Sequence, residues 1–272
     1  MKSFCNIIAI PARLESSRLP NKIIKDISGK IMLKRVLERC SQVKKVDLIA
    51  LCTDSCKLRL IAEELGYKVF MTSKECSSGT DRIASITEDL IKFAWSKCSP
   101  NKFSFKNKIE KTIIVNVQGD QPFINPKIIE RTFQELRSLK DSTSVITPIY
   151  KLSRKKIHNP NVVKTLIRND GRIIYFSRSA IPHVRDIPLK DWFKHTNYWG
   201  HAGIYGFRSK MLLEWRKLQD SRLEKLEKLE QLRIIDAGYN IGSFKINEEC
   251  FSVDTEDQLI EAIEKANFEK IK

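Results

Sequence analysis

Two short apolar runs, FCNIIAI at 4–10 and TIIVNV at 112–117, constrain this chain more than any other feature. Both are rich in β-branched side chains and neither alternates with polar residues. That is the pattern of a strand covered on both faces. Segments of helical spacing alternate with them. Residues 32–40 repeat through Met32, Leu33, Val36, Leu37 and Cys40, and residues 58–65 stop at Gly66. Residues 80–93 run through Ile83, Ile86, Leu90 and Ile91, and Pro126 opens a further helix to about residue 139. Shorter strands are expected at 47–52 and 68–70. Strand and helix in alternation predict a parallel sheet with helices on both faces.

The texture changes after Ser144. Short β-like runs at 145–150, 162–167, 173–176 and 203–207 predict an antiparallel extension or a smaller lobe, roughly 145–215. Leucines and glutamates every three residues in LEKLEKLEQL predict one continuous helix over 223–237. A strand at 242–246 and a helix at 255–266 follow, with Asp254-Thr255 as its cap. Residues 97–111, with five lysines and one glutamate, read as a basic surface connection.

Composition narrows the function classes. The chain has 272 residues, enough to bury a core without disulfides, and no stretch approaches the ~18 apolar residues of a membrane span. Pro11, Arg13 and Glu15 break the first apolar run, so a signal peptide is not expected. The seven cysteines include no C-x-x-C pair and read as reduced core thiols. A soluble, cytoplasmic protein without membrane insertion is expected. The net charge of +16 fits a lysine-biased surface that keeps the protein soluble, or an anionic partner such as nucleic acid, a membrane surface or a small anionic substrate.

Ligands of open α/β sheets bind beyond the carboxyl ends of the strands. After the first strand comes PARLESSRLPNK, with Arg13, Arg18, Lys22 and two serines, one of them Ser16. Three cations on one loop suit a polyphosphate, although the P-loop pattern is absent. After 112–117 comes Gln118-Gly119-Asp120, and late in the chain Asp254 follows another strand-like run. Two strand-end carboxylates suit Mg²⁺, and each also suits a cap or turn. Ser77-Ser78-Gly79-Thr80-Asp81-Arg82 could present backbone N–H groups to a ligand or simply cap a helix.

Taken in order, IPARLESSRLPNK, SSGTDR, VNVQGDQP, NPNVVK (159–164), YFSRSAIP (175–182), HAGIYGFR (201–208), LEKLEKLEQLR and VDT resemble the 3-deoxy-manno-octulosonate cytidylyltransferase family. The resemblance runs from Ile8 to about Leu259. It implies one cytidylyltransferase domain over 1–272. The implied fold is a nucleotide-diphosphosugar-transferase-like mixed α/β sheet, with a smaller β-rich lobe that forms a homodimer. It implies CMP transfer from CTP to the sugar acid 3-deoxy-D-manno-octulosonate (Kdo), releasing pyrophosphate, for lipopolysaccharide synthesis. Arg13, Arg18 and Lys22 would hold the triphosphate and, with Asp120, act in catalysis. Ser16, Ser78, Gly79, Thr80, Arg82 and Gln118 would complete the nucleotide site. Gln118, Arg178, His201, Tyr205, Glu230 and Gln231 would receive the sugar acid, Arg178 gripping its carboxylate; Glu224 and Glu227 are further candidates. Asp120 and Asp254 would bind Mg²⁺. Asp81 stands where the family usually carries Glu. A related sugar acid, amino-substituted or sialic-acid-like, is the nearest alternative. A basic nucleic-acid-binding protein without catalysis is the distant one. The ordered motifs argue against it, so no nucleic-acid partner is expected.

Overall fold

The computed structural model describes residues 4–16, 18–98, 103–139 and 143–271. Strand β1 (Cys5–Ala12) sits between two parallel neighbours in a ten-stranded mixed sheet. Between β1 and the first of these neighbours comes a separate small hairpin of β2 (Asp26–Ile27) and β3 (Lys30–Ile31). The neighbours are β4 (Leu48–Thr53) and β6 (Thr112–Asn116), and β5 (Lys68–Met71) extends the sheet beyond β4. The sheet continues through β7 (Thr143–Lys151), β8 (Lys164–Ile167), β9 (Ile173–Ser177), β10 (Trp199–His201) and β11 (Tyr205–Arg208). Those pairings are antiparallel, whereas β12 (Asn240–Ile246) runs parallel along β7.

Ten helices surround it among the described residues: α1 (Met32–Ser41), α2 (Cys56–Glu64), α3 (Gly79–Ser85), α4 (Thr87–Cys98) and α5 (Phe105–Glu110), then α6 (Pro126–Ser138), α7 (Ser209–Trp215), α8 (Arg222–Glu227), α9 (Leu232–Asp236) and α10 (Glu256–Ile271). Alternation along β1 divides the core. Ile8, Ile10 and Ala12 pack with Leu33 and Leu37 of α1, Leu58 of α2 and Phe133 of α6. Cys5, Ile7 and Ala9 pack with Ile83 of α3, Trp95 of α4 and Trp215 of α7. The expectation of helices on both faces of the sheet is met in this way.

The differences from expectation are local. The helix expected at 80–93 is two helices, because Ile86 leaves helical geometry at φ −122. The Thr87 hydroxyl takes the carbonyl of Ile83, which a continuous helix would give to the Thr87 amide. The basic connection contains α5, and its residues 99–102 lie outside those described. Strand β10 was not expected. Its Gly200 packs so closely that a Cβ there would stand 2.6 Å from Leu152 Cδ2 and 2.7 Å from Tyr150 Cζ. Glycine disguises the strand in sequence yet is what permits the packing. Cys5, Cys40 and Cys52 are buried cysteines, and burial pushes Cys52 up to about 12. Among the described residues no helix is long and apolar enough to cross a membrane.

Candidate nucleotide and sugar-acid site

The carboxyl ends of β1 and β6 lie side by side, with Ala9 opposite Asn116 in parallel register. The chain leaving β1 supplies Arg13, Ser16, Arg18 and Lys22, and the chain leaving β6 supplies Gln118, Gly119 and Asp120. Both line one cavity of about 410 Å³. Gly119 lets this second turn approach the first, because a Cβ there would meet Ile23 Cδ1 at 3.2 Å. A third segment closes from the far end of the sequence: the Val253 amide donates to the Asp120 carbonyl at 2.9 Å, carrying Asp254 into the same wall.

The charges converge on one ammonium. Lys22 Nζ lies 2.7 Å from Asp120 Oδ2 and 2.8 Å from Asp254 Oδ1, and Arg18 reaches Asp254 Oδ1 at 3.0 Å. Burial acts to lower the Lys22 pKa, but the two carboxylates outweigh it and hold the amine above its ordinary value. Burial likewise acts to raise Asp254, and Lys22 and Arg18 reverse this, leaving its carboxyl below the usual range.

Asp254 is free for this role because other residues cap α10. Gln258 Oε1 accepts from the amides of Asp254 at 2.7 Å and Thr255 at 3.2 Å. The Thr255 hydroxyl accepts from the Gln258 amide at 3.3 Å. This reciprocal cap leaves the aspartate side chain to the cavity. At α3, Ser78 both caps the helix, accepting from the Asp81 amide at 3.0 Å, and lines the cavity beside Gly79.

The opposite wall corrects the sequence reading. Residues 223–237 do not form one helix. α8 ends at Lys228, which turns left-handed at φ 52 and ψ 50, and α9 begins only at Leu232. The Ser177 hydroxyl donates to Glu227 at 2.6 Å and the Arg178 amide at 2.9 Å, pinning the end of α8. The break turns Glu230 inward. Its carboxylate accepts from the Thr80 amide at 3.1 Å and the Thr80 hydroxyl at 2.9 Å, an N-terminal cap on α3 supplied from 150 residues away. Burial raises the Glu230 pKa, opposed by hydrogen bonds from Ser78 and Thr80. Glu224 is turned the other way, paired twice with Arg233 at 2.7 and 2.8 Å.

Most of the expected site residues meet. Arg13, Ser16, Arg18, Lys22, Ser78, Gly79, Gln118, Asp120, His201, Tyr205, Glu230, Gln231 and Asp254 all line the cavity. Three of the expected residues are placed differently from the rest. Arg178 does not line it: its guanidinium donates to the carbonyls of Glu227 at 2.8 Å and Pro160 at 3.1 Å, so it braces the helix break. Arg82 reaches the wall, but its donors are committed to Thr72, to Ser73 O at 3.4 Å and to Asp54 at 3.3 Å. Thr80 is buried behind the wall and acts through Glu230.

Sequence reading missed Gln121, Cys76 and Lys164. Gln121 lines the cavity, and its Nε2 donates to Ala202 O at 2.8 Å. Gly203, at φ +73, makes room for that amide, since a Cβ there would stand 3.0 Å from Nε2. Lys164 is fully buried and donates to the carbonyls of Asn159 at 2.8 Å, Val162 at 2.7 Å and Arg178, so NPNVVK folds around its ammonium. Three buried polar atoms in cavity-lining side chains have no hydrogen-bond partner among the described residues: Gln121 Oε1, His201 Nε2 and Gln231 Nε2. Buried polar groups are rarely left unpaired, and walls built this way suit a hydroxylated ligand. His201 lies between Phe176 and Tyr205, with ring centroids at 5.1 and 5.0 Å, and burial pushes its pKa down to about 3.

The donor set fits a hard divalent cation. Two carboxylate oxygens from different segments already converge on one cation, and magnesium takes one or two carboxylates with substrate phosphates completing the shell. No group of three or more metal-ligating side chains exists among the described residues.

Comparison with known proteins gives the family. The cytidylyltransferase family model matches residues 7–245. The 3-deoxy-manno-octulosonate cytidylyltransferase of Francisella tularensis subsp. novicida is 40% identical over 236 residues, 86% of this chain and 87% of that protein. A solved structure of CMP:2-keto-3-deoxy-manno-octonic acid synthetase complexed with CTP superposes with a TM-score of 0.81 at 32% identity, covering 97% of this chain and 99% of that one. A putative glucose-1-phosphate thymidylyltransferase from Bacillus anthracis shares the fold at a TM-score of 0.63 and 15% identity, covering 96% and 95%. The chain belongs to the cytidylyltransferase family.

Proposed function

We propose that this cytidylyltransferase transfers CMP from CTP to the 2-hydroxyl of Kdo, giving CMP-Kdo and pyrophosphate. The observation that carries the reading is the meeting of Lys22, Asp120 and Asp254, from three distant segments, in one cavity beyond the strand ends. The 2-hydroxyl attacks the α-phosphorus in line, and negative charge collects on the departing β,γ-phosphates. Arg13, Arg18 and Lys22 are the cations that meet it, and preorganised charge of this kind is the largest expected contribution to rate. Ser78 and Gly79, at the start of α3, receive the nucleotide. Asp120 and Asp254 would hold Mg²⁺, which when bound neutralises phosphate charge and acidifies the attacking hydroxyl. Gln118, His201, Tyr205, Glu230 and Gln231 bind the sugar acid through its hydroxyls.

The protein works as a cytoplasmic homodimer on this reading. Exposed Ile174, Leu189 and Phe193, all within the β-rich segment, support self-association through that region. Light scattering should return twice the chain mass, and a monomer would remove the dimer from the reading.

The deciding assay measures pyrophosphate release with CTP, Mg²⁺ and a panel of acceptors: Kdo, an amino-substituted Kdo and a sialic acid. Saturable release that is fastest with Kdo is expected. Faster release with either of the others would change the assigned acceptor, and no release with any would remove the activity.

A further inference from the structure

The Asp120 Oδ2 and Asp254 Oδ1 oxygens that suit a divalent ion are the same two that Lys22 Nζ holds, at 2.7 and 2.8 Å. A magnesium ion binds carboxylate oxygens at about 2.0–2.1 Å. An ammonium and a divalent ion serving the same pair of oxygens would stand roughly 4 Å apart. At that separation an ammonium and a doubly charged ion repel one another while competing for the same two oxygens. Lys22 and the metal therefore exclude one another.

We propose that Lys22 is a built-in placeholder for the divalent cation, and that the triphosphate admits the metal by drawing Lys22 off the two aspartates. This rests on the cytidylyltransferase reading and adds to it an order of events. The placement is specific. Lys22 follows Asn21, itself left-handed at φ 55, and sits in a single 3-10 turn, Lys22–Ile24, whose Ile23 is buried in the core. The backbone is thus anchored while the long side chain can swing. Its side chain is only 13% exposed, and among the described residues its hydrogen-bond acceptors are these two aspartates. The acceptor that could replace them is an anion entering the cavity beside Arg13 and Arg18. Nucleotide and metal are then coupled through one side chain, and the coupling is reciprocal.

The test measures Mn²⁺ binding directly, by the electron paramagnetic resonance of the free ion, on the full-length protein without nucleotide. The wild type should bind Mn²⁺ only in the millimolar range. Lys22→Met should bind at least ~10-fold more tightly, a shift worth about 1.4 kcal/mol. Adding Asp120→Asn to Lys22→Met should abolish the gain. Arg13→Met removes an equal charge from the same cavity wall and should change the affinity less than threefold. Three outcomes overturn the proposal: tight Mn²⁺ binding by the nucleotide-free wild type, no gain in Lys22→Met, or an equal gain in Arg13→Met. The wild-type measurement decides even if Lys22→Met fails to fold. The proposal and the function fail separately. A wild type that releases pyrophosphate normally but binds Mn²⁺ tightly without nucleotide sinks only the placeholder, whereas a wild type inert toward CTP sinks the function.

Discussion

At the scale of single residues the site is held by charge, and charge can be removed with little change of shape. Asp120→Asn keeps an acceptor toward Lys22 but loses the negative charge that pairs with it at 2.7 Å. A loss of at least ~100-fold in turnover is expected in a folded variant, the scale of one missing transition-state stabiliser. Near-normal turnover would take Asp120 out of the chemistry. His201 gives a second test, through pH. Its ring is buried with Nε2 unpartnered, and its pKa is pushed from 6.5 down to about 3. The unfolded chain binds a proton near the upper value, and the native chain refuses it until the lower one. Stability from the neutral ring is therefore complete above the upper value and drains away as pH falls through the window, by about 1.4 kcal/mol per unit. The thermal midpoint should fall on acidification from pH 7 to pH 5, and His201→Phe, which keeps the aromatic contacts to Phe176 and Tyr205, should flatten that fall. An unchanged slope in the variant would mean that the native ring takes up the proton.

At the scale of elements, the segment after Ser221 shows what periodicity alone cannot settle. Leucines at 223, 226, 229 and 232 look equivalent in sequence, but the left-handed Lys228 separates them. Leu226 is 69% exposed, and Leu229 is 6% exposed. Leu226→Gln should change stability by less than about 0.5 kcal/mol. Leu229→Ala should cost about 2–5 kcal/mol. Urea denaturation of both would decide, and equal losses would restore the continuous helix. The break was illegible because its causes lie far away in sequence: Ser177, Arg178 and Thr80 take Glu227 and Glu230 out of the helical register. Elements governed by local chemistry were legible. Asn125 and Pro126 start α6 as a side-chain cap and a first-turn proline, and the uninterrupted apolar run of β1 already places helices on both faces. Asp254 stood between the two cases. Its capping role looked sufficient until Thr255 and Gln258 proved to cap the helix themselves.

At the scale of the whole molecule, the loop cations and Asp120 were readable because the adjacent parallel strands β1 and β6 end together, whereas Asp254 follows no strand and arrives through the hydrogen bond of the Val253 amide to the Asp120 carbonyl. Gln121 was not readable, since its role depends on the Ala202 carbonyl, which only the fold brings near, and Lys164 was not, since its ammonium joins the local carbonyls of Asn159 and Val162 to that of Arg178 on another strand's end. The charge of +16 was legible as a number but ambiguous as a partner. Part of that charge belongs to the cavity, because Arg13, Arg18 and Lys22 stand in its wall while the lysine-rich α5 contributes no lining residue. A net positive field attracts a substrate in proportion to its charge and is screened over about 8–10 Å at physiological salt. CTP carries several negative charges and the sugar acid one. Raising ionic strength from about 10 to 150 mM should therefore lower kcat/KM for CTP several-fold more than for the sugar acid. Neutralising a helix charge by Lys106→Gln should leave the CTP value within about twofold, whereas Arg13→Gln should lower it and weaken its salt dependence. If Lys106→Gln mattered as much as Arg13→Gln, the attraction would belong to the overall charge of the protein and not to the loop that ends its first strand.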